Sequence, residues 1–330
     1  MSNNLTISDI ANMAGVAKST VSRYLNGGRI SQSTSNKIKK IIDENNYEPN
    51  AFAQSLKAKK TKFIGIIAPC LDSVVTSKVI MAIDEELREQ GYNSLIINTS
   101  LNKSLEVDSI ENLVRLKVDG IILVATEITN RHKEAIEKLN IPMVVVGQRY
   151  PGVTSIINDD YEAGNVVGNY IAKHGHSNIL YLGVSEEDES VGKIRKEGIL
   201  DSLNKYNKIN VKVEMTDFSI ETSERKVDEL ISNLKATAII CATDKIAMGA
   251  LKSIIKNNKK VPEDISLIGF GGYELSTIMK PSLTTIKFNN NETGRIAALT
   301  LIKLIQGEEV LELQTIGFNL IERNSVKNLI

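Results

Sequence analysis

The chain is predicted to fold as a small all-α helix-turn-helix domain followed by a two-lobed α/β domain. Three observations point there. Two short apolar-periodic runs near the N-terminus are broken by a glycine, the charge balance changes near residue 62, and buried strands alternate with amphipathic helices in a pattern that restarts near residue 155. At 330 residues there is room for two or three domains, each with its own core.

In the first run, Ile7, Ile10, Ala11 and Ala14 recur at helical spacing; Gly15 breaks it, and Val16, Thr20, Val21, Tyr24 and Leu25 continue on a second helix. Thr6 stands at the N-cap with Asp9 three residues on, a capping-box arrangement. The polar face of the second helix carries Lys18, Ser19, Ser22 and Arg23, chemistry suited to base edges in a DNA major groove. Ser31 is placed to cap a third helix, Gln32 to Asn45, with Ile38, Ile41 and Ile42 inward. A short basic helix follows over 50–59; it is too short to be stable alone in water and suits folding on binding. Ordinary core packing is the rival meaning of such a helix pair, and charge weighs against it. Residues 1–62 hold ten Lys and Arg against four Asp and Glu, whereas the remainder holds 30 against 36. Phosphate contact is therefore expected at one end only, although the whole chain is formally neutral.

From Phe63 the pattern changes. Strands are expected at 63–68, 94–98, 120–124 and 143–146, separated by helices over 79–91, 108–116 and 131–139. A second series follows: strand 155–158, helix 161–173, strand 179–182, helix 191–206, edge strand 211–213, helix 221–234, strand 238–241, helix 245–257 and strand 265–269. Two consecutive α/β units make two lobes around a cleft, and ligands of such sheets bind outside the carboxyl ends of the strands. The resulting division is 1–49 for the DNA-binding domain, 50–62 for hinge helix and linker, and 63–330 for the α/β body.

Several function classes are disfavoured. Cys70 and Cys241 lie far apart in apolar settings and read as buried reduced thiols, with no disulfide or metal site. His132, His174 and His176 sit in no nucleophile, zinc or acid–base motif, and no glycine-rich phosphate loop is present. No enzyme activity, metal or cofactor is expected. No export signal or membrane-spanning apolar run is visible, so the expectation is a cytoplasmic protein with no membrane partner.

These features together resemble the lac repressor family of sugar-responsive transcription regulators over essentially the whole chain. The resemblance is carried by Thr6-Ile-Ser-Asp-Ile-Ala, Ser19-Thr-Val-Ser-Arg-Tyr-Leu-Asn26, Tyr47-Glu-Pro-Asn50 and Ala53-Gln-Ser-Leu56. In the body it includes Asp160-Tyr-Glu-Ala-Gly164, Arg195-Lys-Glu-Gly198, Thr243-Asp-Lys-Ile-Ala-Met-Gly249 and Val261-Pro-Glu-Asp-Ile-Ser-Leu-Ile-Gly-Phe270. It implies a periplasmic-binding-protein-like effector domain and a homodimer on a near-palindromic operator, with no tetramerisation heptads after Ser325.

The resemblance also assigns roles. Lys18 and Ser19 look like the base-reading pair, with Arg23 one turn on. Thr6, Thr20, Ser31, Thr34, Tyr47 and Asn50 look like phosphate contacts; Ile7, Ser8, Ala17, Ser22 and Asn26 complete the DNA-facing set, together with Ala53. Leu56 matches the hinge leucine that wedges into the minor groove, packing against the body being its alternative. Arg195, Thr243 and Asp244 match cleft polar groups suited to sugar hydroxyls. Ser73 and Gly271 belong to the same implied effector set, and so does Phe218, for which a core position is equally open. Asp160 is assigned to a lobe crossover and not to the site. Two departures stand out: Asp72-Ser-Val-Val-Thr-Ser77 replaces the common aromatic-bearing loop, and Gly271-Gly-Tyr-Glu274 replaces an acidic ligand contact with exposed backbone. The Gly-Phe-Gly-Gly-Tyr-Glu run is similar to sucrose-operon repressors. Control by a phosphorylated carrier protein, or a sugar-binding module that does not touch DNA, are the competing functions.

Overall fold

The computed structural model describes residues 5–25, 27–45, 47 and 60–330, and the chain divides into two compact units, Met1–Thr61 and Lys62–Ile330. The short helix expected over 50–59 lies outside the described residues, as do Asn26, Asn50, Ala53 and Leu56.

The first unit holds α1 (Ile7–Ala14), α2 (Lys18–Leu25) and α3 (Gln32–Glu44). Helix α1 begins at a reciprocal capping box: the Asp9 amide donates to Thr6 Oγ1 at 3.4 Å, and the Thr6 amide donates to Asp9 Oδ2 at 2.8 Å. It ends at Gly15, whose φ of +63° is open to glycine at little cost, and whose amide caps the Ala11 and Asn12 carbonyls. Ile10, Ala11, Ala14, Val21 and Ile38 form the core, sealed by half-buried residues that include Tyr24, Leu25, Ile41 and Tyr47. So small a core leaves the caps a sizeable share of stability. Thr6→Ala is expected to cost this unit about 1 kcal/mol; an unchanged unfolding midpoint in a thermal melt followed by helix-specific circular dichroism would show that the box contributes nothing.

The second unit has two six-stranded sheets. Its first stretch runs β1 (Phe63–Ala68), α4 (Val74–Glu89), β2 (Asn93–Asn98), α5 (Lys103–Arg115), β3 (Gly120–Val124), α6 (Asn130–Glu137), β4 (Met143–Val146) and β5 (Thr154–Asn158). The next comprises α7 (Asp160–Lys173), β6 (Asn178–Gly183), a π-helical turn Glu189–Ile194, α8 (Arg195–Leu203), β7 (Asn210–Met215), α9 (Ile220–Leu230), β8 (Ala238–Cys241), α10 (Asp244–Lys256), β9 (Ser266–Phe270), α11 (Leu275–Ile278) and β10 (Thr284–Phe288). Finally come α12 (Asn290–Gln306), β11 (Leu313–Ile316) and β12 (Phe318–Ile321).

The strand orders are β11-β5-β4-β3-β1-β2 and β12-β10-β9-β8-β6-β7. All pairings are parallel except that of β12 with β10. Central strands are continuous apolar runs because helices cover both faces; β3, β4, β8 and β9 are buried at every position. The edge strands β2 and β7 keep three and four of their six residues exposed.

The lobes are not consecutive, in contrast to the sequence expectation. The chain crosses between them at Asn158–Asp160, Phe288–Asn290 and Ile316–Phe318. Helix α12 returns to the first lobe, packs on α4, and contributes Ala297, Ala298, Leu301 and Ile302 to its core. Helix boundaries also differ; α5, for one, starts at Lys103 behind its Asn102 cap, five residues earlier than expected. Helix α4 starts at Val74, five residues earlier than expected, because Ser73 caps it and the Ser77 hydroxyl donates back toward the Leu71 and Ser73 carbonyls. The helix expected over 191–206 is the π turn followed by α8; Asp188 caps the turn, and Gly192 packs so closely that a Cβ there would lie 1.9 Å from the Ser185 carbonyl oxygen. Among the described residues no helix is long and apolar enough to cross a membrane.

Candidate functional site

On the first unit, Lys18, Ser19 and Arg23 are exposed along α2, with Ala17 exposed just before it and Thr20 and Ser22 half-buried beneath. The Arg23 stem lies against Gly28, where a Cβ would come within 2.5 Å of Arg23 Cγ, and the Gly28 amide donates to the Arg23 carbonyl at 2.8 Å. That packing holds the base of the arginine while leaving its head in solvent. Thr6 is exposed, Ile7, Ser8 and Tyr47 are half-buried, and Ser31 is exposed. The Ser31 hydroxyl accepts from the Thr34 amide at 3.3 Å and meets Thr34 Oγ1 at 2.8 Å, so these two hydroxyls are bonded to each other as a cap. The described helices thus present one polar, cationic face over an apolar base.

In the second unit the carboxyl ends of the two sheets face each other. Residues just beyond those ends make the inter-lobe contacts: the Ser190 hydroxyl donates to the Gly147 carbonyl, and Lys103 pairs with Glu127 in its own lobe and with Glu187 of the other at 3.4 Å. On the side of α4, Lys78 meets Glu274 at 3.4 Å.

Arg195 is the centre of this region. Helices α7 and α8 approach closely through Gly164 and Gly198; a Cβ at Gly198 would lie 2.0 Å from the Tyr161 carbonyl oxygen. This brings Asp160, at the start of α7, onto the Arg195 guanidinium, whose Nε donates to Asp160 Oδ1 at 2.9 Å and whose Nη2 reaches the same oxygen. Nη1 donates to the Ala242 carbonyl at 2.6 Å, and Phe270 and Phe288 flank the plane at 4.8 and 5.1 Å. Asp160 therefore belongs both to the crossover and to the Arg195 cluster. Burial holds its carboxyl above the usual range despite the arginine, and burial does the same to Asp188, which also faces Arg195.

Asp244 begins α10 behind its cap, Thr243, and is wholly buried. Its Oδ1 accepts from the Thr285 hydroxyl at 2.5 Å and its Oδ2 from the Tyr273 amide at 2.8 Å. It is thus committed to joining α10, the β9–α11 loop and β10; burial pushes its carboxyl up to about 6. Gly271 is not exposed backbone. Its amide donates to the Ile286 carbonyl at 2.7 Å, and the Tyr273 ring covers it so closely that a Cβ would fall 2.4 Å from the ring edge. The adjacent positive φ values, +139° at Gly271 and +62° at Gly272, fold the loop back to place that ring. Phe218 is 39% exposed in the loop after β7, which removes the core alternative. Ser73 is occupied as the α4 cap.

Sequence reading passed over three buried polar groups at this inter-lobe face. Gln148 follows β4, Asn290 opens α12, and Tyr181 lies in β6 within reach of the Arg195, Asp160 and Asp188 charges; Gln148 Nε2, Asn290 Oδ1 and the Tyr181 hydroxyl have no protein partner. The signal available was only a polar residue beside a strand end, which is common.

The three histidines are consumed by the fold. His132 closes the α6 capping box and meets buried Glu106 at 3.1 Å, His174 caps α7, and His176 bonds Thr237 and the Lys327 carbonyl. Cys241 is buried as expected, whereas Cys70 is half-buried beside Asp72, and burial raises its thiol pKa.

Comparison with known proteins gives the same two units. Residues 61–324 match the family described as periplasmic binding proteins and sugar binding domain of LacI family, and residues 6–50 match bacterial regulatory proteins, lacI family. The chain belongs to the LacI family of transcription regulators. This LacI-family chain is 40% identical to the sucrose operon repressor of Staphylococcus xylosus over 92% of its own length and 95% of that relative. It is 31% identical to the transcriptional repressor PurR of Actinobacillus pleuropneumoniae serotype 3, over 98% and 99%. Among solved structures it superposes on the lac repressor dimer bound to operator and the anti-inducer ONPF with a TM-score of 0.87, at 25% identity, covering 98% of this chain and 100% of that one. The LacI-family regulator is a DNA-binding transcription repressor and not an enzyme, as its relatives are.

Proposed function

We propose that this regulator represses a carbohydrate-utilisation operon from the cytoplasm, as a homodimer on a near-palindromic operator, and that a sugar bound between the lobes releases it. The observation that carries the reading is the Arg195 cluster. It joins the first crossover to the second-lobe sheet, with the unpartnered Tyr181 hydroxyl within reach of its charges. A ligand there acts only through its different affinity for two arrangements of the lobes. The inter-lobe contacts that such a shift would alter include Ser190 with Gly147, Lys103 with Glu187 and Lys78 with Glu274.

A homodimer is supported by the face shared by α4 and α11. It exposes Met81 and Ile278 at 69% and 71%, besides Val74 and Leu275, and the Lys78–Glu274 pair makes it continuous across both lobes. Sucrose is the first sugar to test, because the relative from S. xylosus is named for its operon. Fluorescence anisotropy on DNA from the adjoining promoter, at fixed salt with sugars titrated, tests the whole reading. Release by a sugar is the expected result, and tight binding that no sugar disturbs counts against it.

Lys18 and Ser19 are proposed to read bases from the start of α2 and Arg23 one turn on, while Thr6, Ser31, Thr34 and Tyr47 position the unit on phosphates. Lys18→Ala is expected to cost about 1–3 kcal/mol on the natural operator and to relax preference at one base position. An equal loss on every sequence, measured in competition with scrambled DNA, would sink the base-reading role.

A further inference from the structure

We infer that the inter-lobe site takes an uncharged polyol and excludes its phosphate esters. The inference rests on the sugar-release reading above and narrows it.

The local charge is already negative. Arg195, the central cation, is held by Asp160 on two of its nitrogens and faced by Asp188, so two carboxylates answer one guanidinium. Of the cations near the rim, Lys103 is matched by Glu127 and Glu187, and Lys196 by Glu186, which Lys193 also faces; Lys245 stands next to Asp244 in the first turn of α10. Arg149, beside Gln148, is exposed, where water and salt screen it.

Helix N-termini are the other usual phosphate seats, since their free amides and positive dipole end attract anions. Here four of those at the inter-lobe face carry the chain's own carboxylates, whereas α4 and α6 have none in their first turns, Asp72 standing just before the Ser73 cap of α4. Helix α7 has Asp159 as cap with Asp160 and Glu162 in its first turn; the π turn has Asp188 and Glu189; α10 has Asp244; and α12 has Glu292. A phosphate monoester carries about −1.5 to −2 charges at neutral pH. Entering here, it would have to displace Asp160 from Arg195 or lie against Asp188.

What remains unsatisfied is neutral. Gln148 Nε2 is a donor, Asn290 Oδ1 an acceptor and the Tyr181 hydroxyl either; all three are buried and without a protein partner. Arg195 keeps guanidinium hydrogens beyond the three bonds described. A sugar hydroxyl both donates and accepts, so a run of hydroxyls satisfies this mixed set and brings no charge of its own.

The test uses the full chain on its operator fragment at fixed salt. Sucrose, fructose and glucose are titrated beside sucrose 6-phosphate, fructose 1-phosphate and glucose 6-phosphate, and release is read by anisotropy. The parent sugar that releases the protein is expected to act at a concentration at least about 100-fold below that of its ester, as like-charge repulsion of several kcal/mol requires. Asp188→Asn, which keeps an acceptor for the Val191 amide, is expected to narrow that ratio. An ester that acts at or below its parent's concentration overturns the inference while leaving the sugar-release reading standing. An unchanged ratio in Asp188→Asn overturns charge as its cause, and no release by any member of either set overturns both.

Discussion

Arg195→Ala is expected to abolish release by effector and to destabilise the second unit by about 3–5 kcal/mol, the cost of leaving a buried carboxylate without its counter-charge. Asp160 is the group left behind. It is buried with Arg195 as its ion-pair partner, and burial already raises its pKa with the arginine in place. A second substitution separates the two effects. Asp160→Asn on the Arg195→Ala background removes the stranded charge, so most of the lost stability is expected to return, whereas the effector response stays lost. Urea unfolding reads the first quantity and operator release the second. Stability that does not recover would assign the loss to the Ala242 and aromatic contacts of Arg195, and release that survives Arg195→Ala would remove it from the site.

The second large effect depends on pH. Asp244 has a folded pKa of about 6, raised by burial above its ordinary 3.8. The folded state therefore binds more protons than the unfolded state between about pH 4 and 6. Stability falls as pH rises through that window, and the penalty is complete above it. A carboxyl held that far above its ordinary value costs the folded state roughly 3 kcal/mol at neutral pH. Asp244→Asn removes the titration while keeping the contacts: the amide oxygen accepts from the Tyr273 amide, and the amide nitrogen donates to Thr285 Oγ1. Denaturant midpoints at pH 7, 6 and 5 are expected to show the wild-type chain gaining on Asp244→Asn as pH falls. Parallel pH profiles would mean that Asp244 titrates normally.

Local signals carried most of the architecture. The capping pair Thr6 and Asp9, the break at Gly15 and the Ser31 cap act within a few residues of themselves, so α1 and α3 were legible from spacing alone. The strands β1, β3 and β4 were equally plain, because burial on both faces leaves an unbroken apolar run. What escaped depends on distant partners. Nothing local shows that α12 belongs to the first lobe; that follows from its small residues Gly294, Ala297 and Ala298 fitting α4 and the sheet. Likewise the sequence presents Asp244 and Gly271 as ligand contacts, but only the assembled loop shows the carboxylate spent on Thr285 and Tyr273 and the glycine roofed by an aromatic ring. Phe218 was undecidable because an aromatic beside an edge strand has the same local pattern inside or outside a core.

The triple crossing bears on how the protein is made. The first lobe begins at Phe63, yet the helix that covers one face of its sheet arrives only at 290–306 and its last strand only at 313–316. A ribosome that has delivered both lobes' early strands still holds a chain whose Ile64, Ile66, Val144 and Ile156 lack the Ala297 and Leu301 surface they pack against. Neither lobe can finish as an independent unit during synthesis, and a transcript truncated before residue 290 yields two incomplete sheets, not one working half. The same threading links the lobes' fates on unfolding, so loss of one is expected to carry the other with it.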